Sequence, residues 1–336
     1  MEAVERAAEK ILAADYLLVA VGAGFSADSG LPVYKNVADV VPYVEMGVDY
    51  QDLCDPYWVH EDLGIFLGFW GDSVNLYRDS TPHAGYDILK QWRQRMLSRA
   101  GRDSPPSPPV LVDPFYVYTS NVDSHCTRVF GPSHVYELHG NTEMWQCAGK
   151  TERATPCAPR TWPLPDKFRF HVNKASMVAQ DTEKHKFLRC PRCKGPARPN
   201  VLMFRDKKWI QNVTDAERYS AWKDLMLRVL QGNPRKRLVV LEIGCGSRVK
   251  TVRRHCETLV HAVNEGMRHQ ATLIRINPDL EGDVLHWDEG SPAIVRIEAT
   301  GLSVLVAMDR IITKEEATVE VPVRPTKRQK GAWRGV

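Results

Sequence analysis

Four cysteines in the middle of the chain have a spacing that suits a metal ion. Cys147 and Cys157 enclose nine residues, and Cys190 and Cys193 form the tight knuckle Cys-Pro-Arg-Cys. Four thiolates favour a closed tetrahedral zinc site, which can hold together an insertion too small to bury a core of its own. We predict a structural zinc ion here. The alternative, that Cys147 or Cys157 is a free thiol, stays open because the first spacing is wide.

A histidine next to a glycine, His139-Gly140, is the candidate acid-base group. An imidazole titrates near neutral pH and can accept a proton in catalysis, although a single histidine often has only a structural role. Within the segment Thr119–Asp123, the side chains of Asn121 and Asp123 could hydrogen-bond ribose hydroxyls or a carboxamide. The same two side chains could instead cap a turn.

A glycine-rich run from Gly22 to Pro32 directly follows the apolar segment 16–21. Glycines let the backbone approach a pyrophosphate, and a helix that begins there directs N–H groups at the phosphate charge. The run therefore predicts a dinucleotide site, with a plain connecting turn as the alternative. The segment Gly244-Cys-Gly-Ser247 and residue Asn277 follow two other apolar runs, and we expect them to meet an adenosine.

These groups need a scaffold that brings them to one place. Apolar runs at 16–21, 110–118, 238–243 and 271–276 have the pattern of buried strands, and helical periodicity lies between them. This alternation predicts an α/β fold, a Rossmann-type parallel sheet with helices on both faces, plus a small zinc-binding module. Ligands of such sheets bind at the carboxyl ends of the strands, where the candidate residues lie.

The same patterns divide the chain into parts. We expect a Rossmann-type, dinucleotide-binding domain at 1–140 and 198–312, interrupted by a zinc-binding module at 141–197. The last residues, 313–336, are basic and end without periodicity, which predicts a disordered tail.

Composition excludes several classes of protein. With 45 basic and 41 acidic residues, the net charge of +4 gives no reason to expect nucleic acid as a partner. The charged residues between Met1 and Ala14 contradict a signal peptide, and no apolar run is long enough to cross a membrane. Eight cysteines without a secretory signal indicate thiols and metal ligands. We expect an intracellular protein, cytoplasmic or nuclear, and the sequence leaves the oligomeric state open.

Taken in order, these motifs resemble the sirtuin family of NAD-dependent protein deacylases, from about Ala3 to Met308. The family pattern GAGxSxxSGxP is matched at Gly22–Pro32, TxNxD at Thr119–Asp123, and the catalytic HG at His139-Gly140. The four cysteines and the segment Arg198–Phe204, which is similar to the family's peptide-binding RPxVxxF, follow in the family's order.

The resemblance implies NAD as cofactor and an acylated-lysine protein or peptide as substrate. It implies that His139 is the base, that the acyl oxygen attacks C1′ of the nicotinamide ribose, and that nicotinamide and O-acyl-ADP-ribose are released. The residues that it implies for NAD are Gly22, Ala23, Gly24, Ser26, Pro32, Tyr34, Lys35, Ser120, Asn121, Asp123, Gly244, Ser247 and Asn277.

Three departures from the family pattern concern NAD and the peptide. Val33-Tyr34-Lys35 stands where Asp-Phe-Arg is usual, Ser120 replaces a Gln, and Arg205-Asp206 replaces Gly-Glu. The first departure loses a carboxylate and a bidentate guanidinium from the loop that closes over NAD. Acyl-chain length depends on residues near Phe66–Trp70, Val201 and Phe204, whose pocket depth the sequence does not give.

Lysine deacylation is the leading hypothesis, and three alternatives stay open. The same fold could transfer ADP-ribose to a protein, which the altered loop at Val33–Lys35 would permit. It could also be an NAD sensor or NAD hydrolase without acyl-dependent turnover. A zinc ribbon that touches nucleic acid is the last alternative, suggested by the basic residues around Cys190–Cys193.

Overall fold

A computed structural model describes residues 2–33, 36, 39–102, 113–247, 249–267, 269–280 and 293–319. The strands are β1 (Tyr16–Val21), β2 (Phe115–Thr119), β3 (Val135–Glu137), β4 (Gly140–Cys147), β5 (Thr161–Pro163), β6 (His171–Asn173), β7 (Val178–Gln180), β8 (Ala197–Val201), β9 (Leu238–Ile243), β10 (Ala271–Ile276) and β11 (Ile294–Ile297). The helices are α1 (Glu2–Ala13), α2 (Ala23–Ala27), α3 (Val41–Met46), α4 (Tyr50–Leu53), α5 (Trp58–Glu61), α6 (Leu63–Asp79), α7 (Ala84–Arg102), α8 (His125–Phe130), α9 (Val213–Gly232), α10 (Thr251–Gly266) and α11 (Gly301–Val319). Short 3-10 helices lie at Pro132–His134, Thr182–Lys184 and Lys186–Leu188.

The main sheet is parallel and has the strand order β11-β10-β9-β1-β2-β3. Every residue of β1 and β9 is buried, as expected for strands covered on both faces. The order reverses beside β1, because the chain first moves outward through β2 and β3 and later returns to β9 on the other side. Ligands of doubly wound sheets bind at such a reversal point.

Two hydrophobic clusters lie on opposite faces of this sheet. The odd-numbered residues of β1, from Leu17 to Val21, pack in one cluster with apolar side chains of α1, α7 and α11. The even-numbered residues, from Tyr16 to Ala20, pack in the other with α9 and α10. This period of two follows from the alternation of side chains along a strand. The predicted Rossmann-type sheet with helices on both faces is confirmed.

A second, smaller lobe contains the four cysteines. Its sheet has the order β5-β4-β8, and β6 and β7 form a separate hairpin. Helix α6 packs against this lobe so closely that a Cβ on Gly68 would lie 1.9 Å from the backbone oxygen of Met177. Asn75 of α6 also exchanges two hydrogen bonds with the backbone of Phe170, at 2.8 and 2.9 Å. Helix α6 therefore shares one hydrophobic cluster with this lobe.

Several boundaries differ from the expected ones or stay predictions. Helix α11 continues to Val319, seven residues past the expected end of the domain at 312, and the remaining tail residues, 320–336, lie outside the described residues. The expected module limits, 141 and 197, fall inside β4 and at the first residue of β8, and the domain limits remain predictions. Among the described residues, no helix combines the length and apolar character that crossing a membrane requires.

Candidate active site

The predicted binding residues start where four neighbouring strands end. In the pairing register Val21 lies opposite Thr119 and Ile243, and Ile243 lies opposite Ile276. The four strands β1, β2, β9 and β10 therefore end at the same level. The four loops that follow begin at one edge of the sheet.

Two of these loops meet backbone to backbone through glycines. A Cβ on Gly22 would lie 2.7 Å from the Gly244 carbonyl oxygen, and one on Gly24 would lie 2.8 Å from the Gly244 Cα. Gly244 has φ +64°, and its own Cβ would lie 2.3 Å from the Phe25 nitrogen. The Gly24 amide donates to the Gly244 carbonyl at 3.0 Å. These three glycines are thus required for the close approach of two loops, whatever they also offer to a phosphate.

Behind the glycines lies a buried hydrogen-bond network of three predicted residues. The Ser26 hydroxyl donates to the Asp123 carboxylate at 2.5 Å, and the Asn121 amide donates to the Ser26 oxygen at 2.9 Å. The same Asn121 amide donates to the Gly22 carbonyl at 3.0 Å. All three side chains are at most 8% exposed. The network joins the loop after β1 to the loop after β2 and places an acceptor-rich carboxylate at the sheet edge.

His139 lies in the two-residue turn between β3 and β4, beside this network. Burial lowers the pKa of its imidazole, and a hydrogen bond from the ring to the Ser120 backbone opposes that effect. The His139 carbonyl accepts the Leu202 amide at 2.8 Å. The imidazole is therefore neutral at pH 7, with one ring N–H directed at Ser120 and the other nitrogen left as an acceptor.

Strand β8 brings the predicted peptide segment next to His139. It pairs antiparallel with β4 and forms the edge of its three-stranded sheet in the described part of the chain. Arg198 and Asp206 form an ion pair whose side chains are 1% and 0% exposed. Arg205 has φ +55°, a left-handed conformation that favours glycine. In place of the family's Gly-Glu, Asp206 therefore keeps a buried carboxylate, and Arg205 carries a side chain at a backbone conformation that is strained for residues other than glycine.

The residues expected to affect acyl-chain length lie in one hydrophobic cluster around α6. Phe66 and Trp70 are 1% and 2% exposed, Val201 is 4% exposed, and Phe204 packs against the same cluster. The Tyr50 ring lies between Phe204 and Phe69, with centroid distances of 6.4 and 6.1 Å. This cluster joins the peptide segment to the helix that carries the module.

At β9 and β10, a buried ionic network supports the loop after β9, and the sequence motifs did not indicate it. The Cys245 carbonyl accepts from Arg253 at 2.7 Å and from Asn277 at 2.8 Å. The Glu242 carboxylate binds Arg275 through two hydrogen bonds, at 2.7 and 2.9 Å, and lies 3.9 Å from Arg253. A glutamate inside an otherwise apolar strand was the available signal, because a buried charge requires partners.

Other predicted residues are less constrained by the fold. Ala23 and Ser247 are exposed, and Pro32 is half-buried after Leu31, whose amide donates to the Ser26 carbonyl at 3.3 Å. Tyr34 and Lys35 lie outside the described residues. The roles of all the predicted binding residues remain predictions.

The four predicted zinc ligands come together at one end of the module. Their sulfur atoms all lie within 4.8 Å of one another, with 3.6 Å between Cys147 and Cys193 and 3.3 Å between Cys157 and Cys190. Tetrahedral zinc with bonds of about 2.3 Å places sulfurs roughly 3.8 Å apart, so the thiols fit a Zn²⁺ ion. The other four cysteines, Cys54, Cys126, Cys245 and Cys256, are buried, as expected for small apolar residues.

Curated relatives of this chain are NAD-dependent protein deacylases. One from Thermus thermophilus is 26% identical over 204 residues, 61% of this chain and 64% of the relative. One from Corynebacterium glutamicum is 24% identical over 234 residues, 68% of this chain and 75% of the relative. The mitochondrial deacylase sirtuin-5 of Danio rerio is 25% identical over 228 residues, 66% of this chain and 67% of the relative. The chain thus spans slightly less than two thirds of the Thermus relative, and no protein-family model matches it.

Solved structures share the fold. A Sir2 homolog in complex with NAD covers 93% of this chain and 94% of its own, with a TM-score of 0.56 and 17% identity. A Sir2 with a p53 peptide and NAD⁺ covers 90% of this chain and 94% of its own, with a TM-score of 0.51 and 16% identity. The chain is thus similar in sequence to NAD-dependent protein deacylases, sirtuin-5 among them, and shares its fold with Sir2 structures.

Proposed function

We propose that this chain uses NAD to remove acyl groups from lysine side chains of a protein or peptide, releasing nicotinamide and O-acyl-ADP-ribose. The observation that carries the proposal is the position of His139. Its imidazole is hydrogen-bonded to the backbone of Ser120, the residue before Asn121 of the Ser26–Asn121–Asp123 network. The His139 carbonyl accepts the amide of Leu202, which follows β8. A candidate base thus neighbours both the polar network and the predicted peptide segment.

Zinc and NAD both belong to this proposal. The four cysteines would hold zinc, which would stabilise the fold of the module and take no part in the reaction. The glycines at Gly22, Gly24 and Gly244 let the two loops meet backbone to backbone at the strand ends, and backbone N–H groups of such loops can bind a pyrophosphate. When bound, NAD supplies an electrophilic ribose carbon and nicotinamide as leaving group.

His139 can act as a general base at neutral pH. Because burial lowers its pKa, the ring carries no proton on its second nitrogen at pH 7 and can accept one from a hydroxyl. The hydrogen bond to Ser120 fixes the tautomer, which decides which nitrogen accepts. Replacing Gln by Ser120 in the family pattern shortens the side chain but leaves the backbone carbonyl that orients the imidazole.

Asn121 and Asp123 would orient the nicotinamide end. A carboxylate accepts from an amide N–H₂, and an Asn side chain both donates and accepts. Their burial strengthens such hydrogen bonds and keeps water from the reacting centre. Asp123 already accepts from Ser26 and from the His125 amide, at 2.5 and 2.8 Å, so its orientation is set before a ligand arrives.

The acylated peptide would pair with β8, which is the last strand of the small sheet in the described residues. An extended segment can pair with an exposed strand edge through main-chain hydrogen bonds, with side-chain specificity supplied by neighbouring pockets. Leu202 directly follows β8, is 36% exposed, and donates its amide to the His139 carbonyl. A peptide along this edge would therefore pass close to the base.

The experiment is a panel of acyl-lysine peptides incubated with NAD and read by mass spectrometry for peptide mass and nicotinamide. We expect deacylated peptide and nicotinamide with at least one acyl group, and a loss of roughly 100-fold or more in His139→Ala. His171→Ala is the matched control, because His171 has a 69% exposed side chain on the module hairpin and should retain activity.

The same reactions distinguish the alternatives. ADP-ribose that remains attached to protein would indicate ADP-ribosyl transfer, and nicotinamide release that does not depend on the acyl-peptide would indicate an NAD hydrolase. NAD binding without any turnover would indicate a sensor. Any of these results without acyl-dependent release would refute deacylation.

A further inference from the structure

A second ionisable residue, Glu137, lies close to His139 and has no part in the function proposed above. It is the last residue of β3, two positions before His139, and is 9% exposed. Its Oε2 atom accepts the Asn141 amide at 2.6 Å, and its Oε1 atom has no hydrogen-bond partner in the described part of the chain. A half-satisfied buried carboxyl group is costly, so its position calls for a physical explanation.

Asn141 connects this carboxyl group to the far side of the turn. Its Oδ1 atom accepts the amides of Glu143 and Met144, both at 3.0 Å. Since that oxygen is occupied by two donors, the amide nitrogen must be the atom that faces Glu137. The Glu137–Asn141 hydrogen bond therefore links the two strands on either side of the turn, and His139 lies between the two linked residues.

The groups around Glu137 come from each element packed against it. Burial raises the pKa of Glu137 to about 7, the Asn141 hydrogen bond and the nearby Thr127 hydroxyl lower it, and the carboxylates of Asp123 and Asp215 raise it. On α8, burial raises the pKa of the Cys126 thiol above its ordinary value, and the charges of Asp123 and Glu137 add to that effect. No cation faces Glu137 among these neighbours, so its negative charge is stabilised mainly by the Asn141 hydrogen bond.

We propose that Glu137 is a positioning residue for His139: its carboxylate holds Asn141 across the turn that carries the imidazole, and protonation of the carboxylate loosens that hold. The proposal rests on the role of His139 as the base. A charge-assisted hydrogen bond is roughly twice as strong as a neutral one, so the ionised form fixes the turn more firmly. Activity should therefore depend on a carboxyl group as well as on the imidazole.

The test compares Glu137→Gln with the wild type across pH 6 to 8. Gln has the same shape, can still accept from Asn141, and carries no charge at any pH. We expect kcat/KM of the variant to be roughly five- to tenfold below wild type at pH 8 and nearly equal to it at pH 6. In the wild type, kcat/KM should fall on the acidic side with an apparent pKa near 7, the value of Glu137. In the variant that apparent pKa should lie below 6.5, the ordinary histidine value, because only His139 remains to titrate and burial lowers its pKa.

Two further variants separate positioning from plain stability. Asn141→Ala removes the Glu137–Asn141 hydrogen bond, here called the clamp, and leaves the carboxylate in place. It should reproduce both the loss of kcat/KM at pH 8 and the lowered apparent pKa. The double variant should lose little more activity than either single variant. Glu183→Gln removes an exposed carboxylate of the smaller lobe and should keep the wild-type profile. An equal loss in Glu137→Gln at every pH would mean a structural role and would overturn the proposal, as would an unchanged profile.

A measurement without turnover keeps this proposal separate from the deacylase function. In the wild type, the imidazole NMR signals of His139 should show a second inflection as Glu137 titrates, and Glu137→Gln should lack it. If the wild type releases no nicotinamide but both NMR results hold, the deacylase proposal fails and the clamp stands. A single inflection in both proteins overturns the clamp.

Discussion

Replacing Gly244 with alanine tests the close approach of the two glycine loops. The left-handed backbone at φ +64° costs an alanine about 1–2 kcal/mol. The new Cβ would lie 2.3 Å from the Phe25 nitrogen, so the loops must separate by roughly 1 Å, at about 1–3 kcal/mol. The expected loss of unfolding free energy is therefore about 2–5 kcal/mol, a large part of the total for a typical protein.

This loss converts into a measurable melting shift. With about 2.1 cal/mol/K of unfolding entropy per residue and 336 residues, the loss of 2–5 kcal/mol lowers Tm by about 3–7 °C in calorimetry. Titration calorimetry should also show NAD binding weakened by about tenfold or more, because the shifted loops form the binding edge. Gly246→Ala is the matched stability control in the same loop, since a Cβ there meets no protein atom within 4 Å. Equal melting temperatures for the two variants would refute the argument.

Three further predictions concern the metal, the strained loop and the buried carboxyl group. Metal analysis should give one zinc per chain in the wild type and less than about a tenth of that in Cys157→Ser. Cys126→Ala is the control and should keep its zinc. Zinc retained in Cys157→Ser would contradict the predicted site. Arg205→Gly should raise stability by up to about 1 kcal/mol in denaturant unfolding, because φ is +55° and the bond to Asp55 is exposed; a lower stability would speak against strain. Burial raises the folded-state pKa of Glu137 above its unfolded value, so the stability that it contributes is full below about 4.5 and is lost as pH rises through 7. Between pH 5 and pH 8, the melting temperature of Glu137→Gln should rise relative to that of the wild type. A difference in melting temperature that falls as pH rises would be inconsistent with this pKa.

The sheet was predictable because its central strands are continuously apolar. The runs at 16–21, 238–243 and 271–276 coincide with β1, β9 and β10, since strands buried on both faces have no polar alternation to obscure their limits. The run expected at 110–118 is a strand only from Phe115 to Thr119 in the described residues. Three-residue strands such as β3 and β5 were not predicted, because such short pairings depend on partners far along the chain.

Candidate site residues were predictable by type, and their hydrogen-bond partners were not. Their position after a predicted strand indicated Asn121 and Asp123, and the neighbouring glycine indicated His139. The parallel register of β1, β2 and β3 explains why these positions meet. The support of the loop after β9 depends on Arg253 of α10 and Arg275 of β10 meeting Glu242. A buried glutamate predicts that partners exist, but only the packing of helix on sheet decides which arginines they are.

The most direct test of the central claim is the stoichiometry of one reaction. Wild-type protein, NAD and an acyl-lysine peptide are incubated together, and nicotinamide and deacylated peptide are quantified in the same samples over time. The account predicts equal amounts of the two products at every time point, and neither product in His139→Ala above background. Nicotinamide formed at the same rate without the acyl-peptide, or peptide deacylated without NAD, would contradict it.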